Sequence, residues 1–512
     1  MDSTISIIFH WNKESSDFSK TLNSIENQTY KNFQVIALCE NNLTYNNFSV
    51  INTEGKTYPQ SLNDALKIAE GDFFLLIDNR ESVITLKQAA LESFLIAAER
   101  NPSSGLFYTD YDLISNNTVF EKRLLFHHIG RVRDNQDYGK VFFISKDALS
   151  KIAGFDENIK YNTLYDMRLK ISEHFNLTRI SNKYSGSFYS VKASEKKANV
   201  FDYLLSGKDI QIEAENVATA HLKRIGAYLK PFELMPTDYD TEDNSELKAS
   251  VIIPVGHRPE FIATAIESIQ AQTIQDIEAI IVVNGGENDQ TASVVREYMP
   301  GGKKHDSSKP EIRLIVIDIN NIGLCLNIGA NNARGKYYVQ LDSDDRLKPD
   351  AVEKILEVYD SDPKIGMVIG SYEVWEKKDD GSFNRLEEIP VVSHDEWTDE
   401  NGRNNLLRIN GAGAPRSLPI EIIRQMGYFS INDDEFARNY GEDYEMVLKV
   451  AEYYRIGRVW DPIYEVVRHS GGTDHSISEE LIMRNDEAKD DIRKHAILRR
   501  MAFNSLNKSG GR

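Results

Sequence analysis

The sequence predicts an α/β protein: two tandem Rossmann-like domains, each with a mostly parallel sheet, joined by a helical and acidic linker. Three observations predict it. Short apolar runs alternate with helix-patterned stretches in both halves, an order that builds parallel sheets with crossover helices. The apolar run Ile5-Ser6-Ile7-Ile8-Phe9 has a counterpart in Ala249-Ser250-Val251-Ile252-Ile253-Pro254. Residues beyond these runs recur at matching spacing in both halves, as an internal duplication leaves them.

The repeat is readable in three places. Ser61-Leu62-Asn63, Ala69-Glu70-Gly71-Asp72 and Ile77-Asp78 match Cys325-Leu326-Asn327, Ala333-Arg334-Gly335-Lys336 and Leu341-Asp342. Thr21-Leu22-Asn23-Ser24-Ile25-Glu26-Asn27-Gln28-Thr29 matches Ala265-Ile266-Glu267-Ser268-Ile269-Gln270-Ala271-Gln272-Thr273. Gly154-Phe155 followed by Tyr165-Asp166 echoes Gly427-Tyr428-Phe429 followed by Glu442-Asp443.

In the second half the order is strand Val251–Val255, helix Pro259–Gln272, strand Ala279–Val283, turn Asn284-Gly285-Gly286 and helix Gln290–Tyr298. Strand Leu314–Ile317, helix Leu324–Ala333, a capping Gly335 and strand Tyr337–Leu341 follow. Ligands of such sheets bind beyond the carboxyl ends of the strands, where Asn284 and Asp342 fall. Between the halves, Ala198 to Lys230 reads as helical. Pro231 to Glu246 carries Pro231, Pro236 and the acids Glu233, Asp238, Asp240, Glu242, Asp243 and Glu246 without periodicity, which marks a solvated linker. The expected segments are 1–197, 198–247, 248–477 and a helical tail, 478–512.

Composition bounds the function. The 512 residues exceed one ordinary domain, and 41% hydrophobic with 27% charged residues is a globular balance. A formal net charge of −19 argues against nucleic acid as the main partner. Phosphates on a small ligand then need a metal or a local cationic loop. Cys39 and Cys325 lie in different predicted domains, so no disulfide framework is expected, and a reducing compartment fits. Met1-Asp2-Ser3-Thr4 lacks a leader pattern, and apolar runs such as Phe73–Ile77 fall far short of the roughly 20 residues that span a bilayer. The expectation is a cytoplasmic protein.

Asp342-Ser343-Asp344-Asp345 follows a strand. Carboxylates at i and i+2 there can converge on one hard cation, or they can open a helix, since Lys348-Pro349-Asp350 starts one just after. Gly441-Glu442-Asp443 heads a second helix, where acidic residues favour the first turn. Val467-Arg468-His469-Ser470-Gly471-Gly472-Thr473 puts a histidine after a strand-like run.

In order and spacing, Val251 to Pro254, Ile280 to Gly286, Asn321 to Gly329 and Gly335 to Asp345, with the two later motifs, resemble family 2 glycosyltransferases of the GT-A fold over about Lys248 to Ser476. The resemblance implies that Pro254 and Val255 contact the nucleobase. Asn284 stands where the family has an acid that meets uracil, and Leu326 where it often has an arginine. Asn321, Asn327 and Ser343 are placed in the donor cleft. Asp342 is implied at the ribose or metal, Asp344 and His469 at Mn²⁺ or Mg²⁺, and Asp443 as general base. Glu442 is its partner or binds acceptor. Arg468, His475 and Ser476 are phosphate candidates, Gly471-Gly472 a closing loop, and Arg416 an acceptor contact or an ordinary loop residue.

The implied activity is inverting transfer from a UDP-hexose or UDP-N-acetylhexosamine to a glycan, lipid-linked or protein hydroxyl, in surface polysaccharide or glycoconjugate synthesis. The competing readings are a bifunctional transferase, a nucleotidyltransferase, for which Gly256-His257-Arg258-Pro259 is a poor phosphate loop, and a glycan-binding scaffold. The first half reads Asp78-Asn79-Arg80-Glu81 at the acidic turn, with Asp166 matched to Asp443 and no histidine like His469 within 184–191. A cation at Arg80 repels a metal, so this half is expected not to catalyse but to bind acceptor, scaffold or form a homo-oligomer. Metal-free transfer, with Arg80 stabilising diphosphate, is the weaker option. The tail helix Glu487–Arg500, with Arg493, Lys494, Arg499 and Arg500, is either a packing helix or a peripheral contact to the inner membrane face.

Overall fold

The computed structural model describes residues 3–11, 16–40, 48–116, 118–181, 186–192, 207–235, 237, 245–378, 380–394, 398–409, 411, 413–431, 433, 440–469 and 478–509. The chain divides into two compact units, Met1–Gly226 and Ala227–Arg512. The helix Lys208–Arg224 packs within the first unit rather than in a linker. Its Glu213 carboxylate accepts the backbone N–H groups of Lys160, Tyr161 and Asn162 at 2.7–2.8 Å.

The first unit holds β1 (Ile5–His10), β2 (Phe33–Cys39), β3 (Ser49–Asn52), β4 (Phe73–Ile77), β5 (Ile84–Leu86), β6 (Ser104–Thr109), β7 (Tyr111–Ser115), β8 (Thr118–Lys122), β9 (Val141–Ser145), β10 (Asn176–Ile180) and β11 (Tyr189–Lys192). The second holds β12 (Leu247–Val255), β13 (Ile277–Val283), β14 (Glu311–Val316), β15 (Gly335–Gln340), β16 (Arg346–Leu347), β17 (Ile365–Lys377), β18 (Phe383–Arg385), β19 (Arg416–Pro419) and β20 (Arg455–Arg468).

The first unit's main sheet runs β3-β2-β1-β4-β9-β6-β10, and the second unit's runs β14-β13-β12-β15-β19-β17-β20. The order is the same. Pairing is parallel throughout except at β9 and β19, which run against both neighbours. The first unit adds a small sheet, β5-β11-β7-β8. In the second unit the outer ends of β17 and β20 do that work, pairing with β18 and β16. Strands β17 and β20 thus each span what the first unit splits between two strands. Both units are α/β with mostly parallel sheets.

Repeated residues make repeated bonds. The Gly71 N–H donates to Ser6 Oγ at 2.9 Å and the Gly335 N–H to Ser250 Oγ at 3.0 Å. A Cβ at either glycine would sit 2.5 Å from the backbone nitrogen of that serine, so no other residue fits. Gln28 Nε2 donates to the Ser24 and Lys87 carbonyls, and Gln272 Nε2 to those of Ser268 and Lys348.

The core explains why the strands are apolar runs. All seven residues of β13 are buried, as a parallel strand covered on both faces requires. Each such Ile or Val contributes about 1.5–3 kcal/mol. No described helix is long and apolar enough to cross a membrane.

Candidate functional site

The carboxyl ends of β12, β13 and β15, the start of β19 and the head of the helix Glu442–Tyr453 define the site of the second unit. Beyond β15 the chain turns through Asp342 to Asp345, and Tyr464 of β20 holds that turn. Its hydroxyl accepts the Asp342 N–H at 3.1 Å and hydrogen-bonds the Asp345 carboxylate. Asp345 Oδ1 also accepts the Val467 N–H at 2.8 Å, so Asp345 is committed to the scaffold. Burial and the neighbouring acids push both Asp342 and Asp345 above the usual carboxylate range, with Arg416 opposing this at Asp342.

Asp344 Oδ2 lies 3.1 Å from His469 Nε2, and the imidazole packs 4.1 Å from the Phe261 ring. That spacing suits neighbouring ligands on an octahedral divalent ion with bonds of about 2.1 Å. Asp344 and His469 therefore fit a metal. Among the described residues no three acidic, histidine or cysteine groups converge on one point. Of the expected trio, Asp344 and His469 lie within 3.1 Å of each other, and Asp342 is not part of that contact. Asp342 is held back under Gln340 Nε2 at 3.4 Å and within the field of Arg416.

On the donor side Val255 is buried and Pro254 partly so. Asn284 is buried at the end of β13, with its N–H on the Val255 carbonyl at 2.8 Å and Nδ2 on Asn320 Oδ1 at 3.2 Å. A Cβ at Gly256 would meet Asn284 Oδ1, so any larger residue there would displace the Asn284 amide. Ser343 is buried in the turn after β15.

Two residues expected in the donor cleft make hydrogen bonds within the protein. Asn321 caps the helix Ile322–Asn332: Oδ1 accepts the Leu324 N–H at 2.8 Å and Nδ2 donates to the Ile431 carbonyl at 2.8 Å. Asn327 grips Phe429, donating to its carbonyl and accepting its N–H, both at 2.9 Å. Asn63 grips Phe155 in the same way, at 2.8 and 2.9 Å. These amides hold loops, which is why they recur in both halves.

The helix Glu442–Tyr453 starts after Gly441, at φ 89°, a conformation that favours glycine. Asp443 Oδ2 pairs with an Arg416 guanidinium nitrogen at 3.0 Å, and Oδ1 accepts the Tyr444 N–H at 2.6 Å. Burial works against the Asp443 charge. Arg416, Lys489 and the Tyr444 N–H outweigh it and hold the carboxyl below its usual range. Glu442, buried next to that charge, is pushed up to about 7. Arg416 opens β19 and donates to the Gly413 carbonyl at 2.7 Å.

The sequence reading did not single out Tyr464 or Lys489. Lys489 belongs to the helix Glu479–Ser509, which packs within the second unit. On this helix, expected as a packing helix or a peripheral membrane contact, the basic residues are partnered within the unit. Arg493 and Arg500 are buried, Arg493 on Asp490 at 2.6 Å and Arg500 on the Arg403 carbonyl at 3.1 Å. Arg499 pairs with Glu452 and Lys494 with Asp491. His475, Ser476, Gly471 and Gly472 lie outside the described residues.

The equivalent place in the first unit is built differently. Arg80 turns back on Asp78 at 2.7 and 3.2 Å and lies 3.8 Å over the Tyr58 ring. Arg416 is matched in strand register by Phe142. The helices Thr163–Ser172 and Glu442–Tyr453 align from their first residues, which pairs Tyr165 with Tyr444 and Asp166 with Glu445. Both tyrosines donate to a loop carbonyl, Val132 and Leu406, and both acids pair with the lysine four residues on, Lys170 and Lys449. Asp166 is therefore not the counterpart of Asp443. That position holds Leu164.

Residues 250–423 match the model of glycosyl transferase family 2. Chondroitin synthase of Escherichia coli is 34% identical over 119 residues, 23% of this chain and 16% of that protein. Hyaluronan synthase of Pasteurella multocida is 27% identical over 163 residues, 32% of this chain and 15% of that protein. This chain therefore spans about a sixth of the length of these relatives. S. aureus TarS 1–349 in complex with UDP-GlcNAc overlaps loosely, with a TM-score of 0.36 at 16% identity over 51% of this chain and 74% of that one. Over residues 250–423 this chain is thus similar to the glycosyl transferases of family 2.

Proposed function

We propose that the second unit is an inverting, divalent-metal-dependent glycosyltransferase that moves a hexose or N-acetylhexosamine from a UDP-sugar to the hydroxyl of a glycan, lipid-linked or protein acceptor. The observation that carries the reading is a pair of unlike acidic groups that both act on Asp342 at the strand end. Asp344 is paired with His469 at one side, and Asp443 with Arg416 at the other.

Asp344 and His469 would hold Mn²⁺ or Mg²⁺, which supplies charge neutralisation for a departing nucleoside diphosphate. Asp443 accepts the acceptor's hydroxyl proton as that oxygen attacks the anomeric carbon. Arg416 keeps Asp443 ionised at neutral pH and fixes its carboxylate. Val255, Pro254 and Asn284 form the floor on which the base and ribose would lie. The first unit, lacking the counterparts of Asp344, Asp443 and Arg416, serves in binding or assembly rather than in transfer.

Donor hydrolysis across a panel of nucleotide sugars, with and without Mn²⁺, tests the reading. UDP-sugars are expected to be hydrolysed only with metal. Equal rates after chelation would remove the metal assignment, and a preference for another nucleotide would remove UDP.

A further inference from the structure

We infer that the second unit carries a separate glycan-binding pocket at the end of its sheet opposite the proposed transfer site, where it holds a distal stretch of a neutral oligosaccharide acceptor. This rests on the reading of the second unit as a transferase and narrows its acceptor to a glycan chain.

The cavity measures about 440 Å³ and lies at the amino ends of β17 and β20. Aromatic surface frames it. Trp460 is 54% exposed and Phe232 is 62% exposed, which is unusual for side chains of this size. The position of Trp460 is set by the strand pairing. Ile369 pairs with Arg458 and Ser371 with Pro462, so Gly370 alone in β17 lies opposite Val459, Trp460 and Asp461 in β20. The extra residues form a bulge that carries Trp460 out of the sheet. The Phe232 loop is anchored beside it, because the Met235 N–H donates to the Tyr453 carbonyl at 2.8 Å.

The polar wall is nearly charge-balanced: Arg403, Arg455 and Arg458 stand against Asp399 and Glu400, with Asp362 behind Arg455, and Arg458 lies 5.1 Å from the Trp460 ring. Arg455 donates to both Asp399 oxygens at 2.9 and 2.7 Å and to Asp362 at 2.9 Å. Arg403 spends its guanidinium on the carbonyls of Ala451, Lys230, Glu233 and Glu452. Glu400 and Thr398 complete the rim. A nucleotide needs net positive charge and a bare cation net negative. A neutral polyhydroxyl chain needs flat apolar faces edged by fixed donors and acceptors, and that is what this cavity presents. From Trp460 to His469 the chain runs nine residues of β20, about 30 Å at strand rise, a distance a chain of several sugars can span.

Calorimetry on the full chain with maltoheptaose and chitohexaose as neutral probes, and a hyaluronan hexasaccharide as an acidic one, tests this without requiring turnover. At least one neutral probe is expected to bind, with affinity about tenfold lower in Trp460→Ala, the loss of one aromatic stacking contact. Metal-dependent donor hydrolysis should be unchanged in that variant. Absence of binding by both neutral probes, tighter binding of the acidic one, or unaltered affinity in Trp460→Ala would overturn the pocket. Loss of donor hydrolysis in the unaltered protein would instead overturn the transferase reading, while glycan binding still stands or falls by itself.

Discussion

The two units share a strand order and the bonds that fix it, and they part company where chemistry would occur. Ser6 and Ser250, Gln28 and Gln272, and Asn63 and Asn327 each hold equivalent loops. At the carboxyl ends of the strands the match stops. Arg80 stands where Asp344 does, Phe142 where Arg416 does and Leu164 where Asp443 does. A buried acid needs a compensating cation or it raises its own pKa. The second unit leaves Asp342 and Asp345 in that strained state. The first relieves it internally, with Arg80 folded on Asp78. A fold can be copied while its charge balance is rebuilt.

The strongest way to break this comparison is at the acidic turn. Asp344→Ala should lower metal-dependent donor hydrolysis by about a hundredfold to a thousandfold. Arg80→Ala should leave it unchanged. Equal losses in steady-state rate would mean that both units take part.

The base position comes next. Asp443→Asn should cut transfer by about a hundredfold or more while donor affinity by calorimetry stays within twofold. Asp166→Asn should do nothing to transfer, since its partner is Lys170. A transfer defect in Asp166→Asn would restore the earlier pairing of Asp166 with Asp443.

The paired asparagine clamps sharpen the shared part. Asn63→Ala and Asn327→Ala should each cost about 1–3 kcal/mol by leaving a loop carbonyl and N–H unpartnered. Calorimetric transitions should fall in both variants, and donor KM should not move in Asn327→Ala. A raised KM there would return Asn327 to the donor cleft.

The smallest effect is a pH signature confined to the second unit. The Glu442 carboxyl sits near 7 in the folded chain against an ordinary value of 4.5, while Thr163 occupies that place in the first unit. Between those pH values the folded state keeps a proton that the unfolded chain releases. This contribution to stability therefore declines as pH rises from about 4.5 to 7. Glu442→Gln should flatten the melting temperature over that window. An unchanged slope would remove Glu442 as its source.

The acidic turn, the Glu442-Asp443 helix head and His469 were all readable because each is a short local pattern. Tyr464 was not, because its bonds to the turn reach 122 residues along the chain and a lone tyrosine in a strand has no local signal. Lys489 was hidden for the same reason. The loop-holding bonds of Asn321 and Asn327 were not readable, because their partners Ile431 and Phe429 lie more than a hundred residues along the chain. The partners of Arg493 and Arg500 were not readable, because the Arg403 carbonyl that receives Arg500 comes from far along the chain and burial of the Arg493–Asp490 pair is set by packing.

By itself the sequence determined the α/β class, the duplication and the strand ends where carboxylates gather, since periodicity and repeat spacing are written in neighbouring residues. Only the tertiary structure decided which carboxylates are committed and which are available. That depends on the groups that surround each one: Val467 and Tyr464 on Asp345, His469 on Asp344, Arg416 on Asp443. All come from distant strands, and through-space charge and burial rather than chain order set their influence.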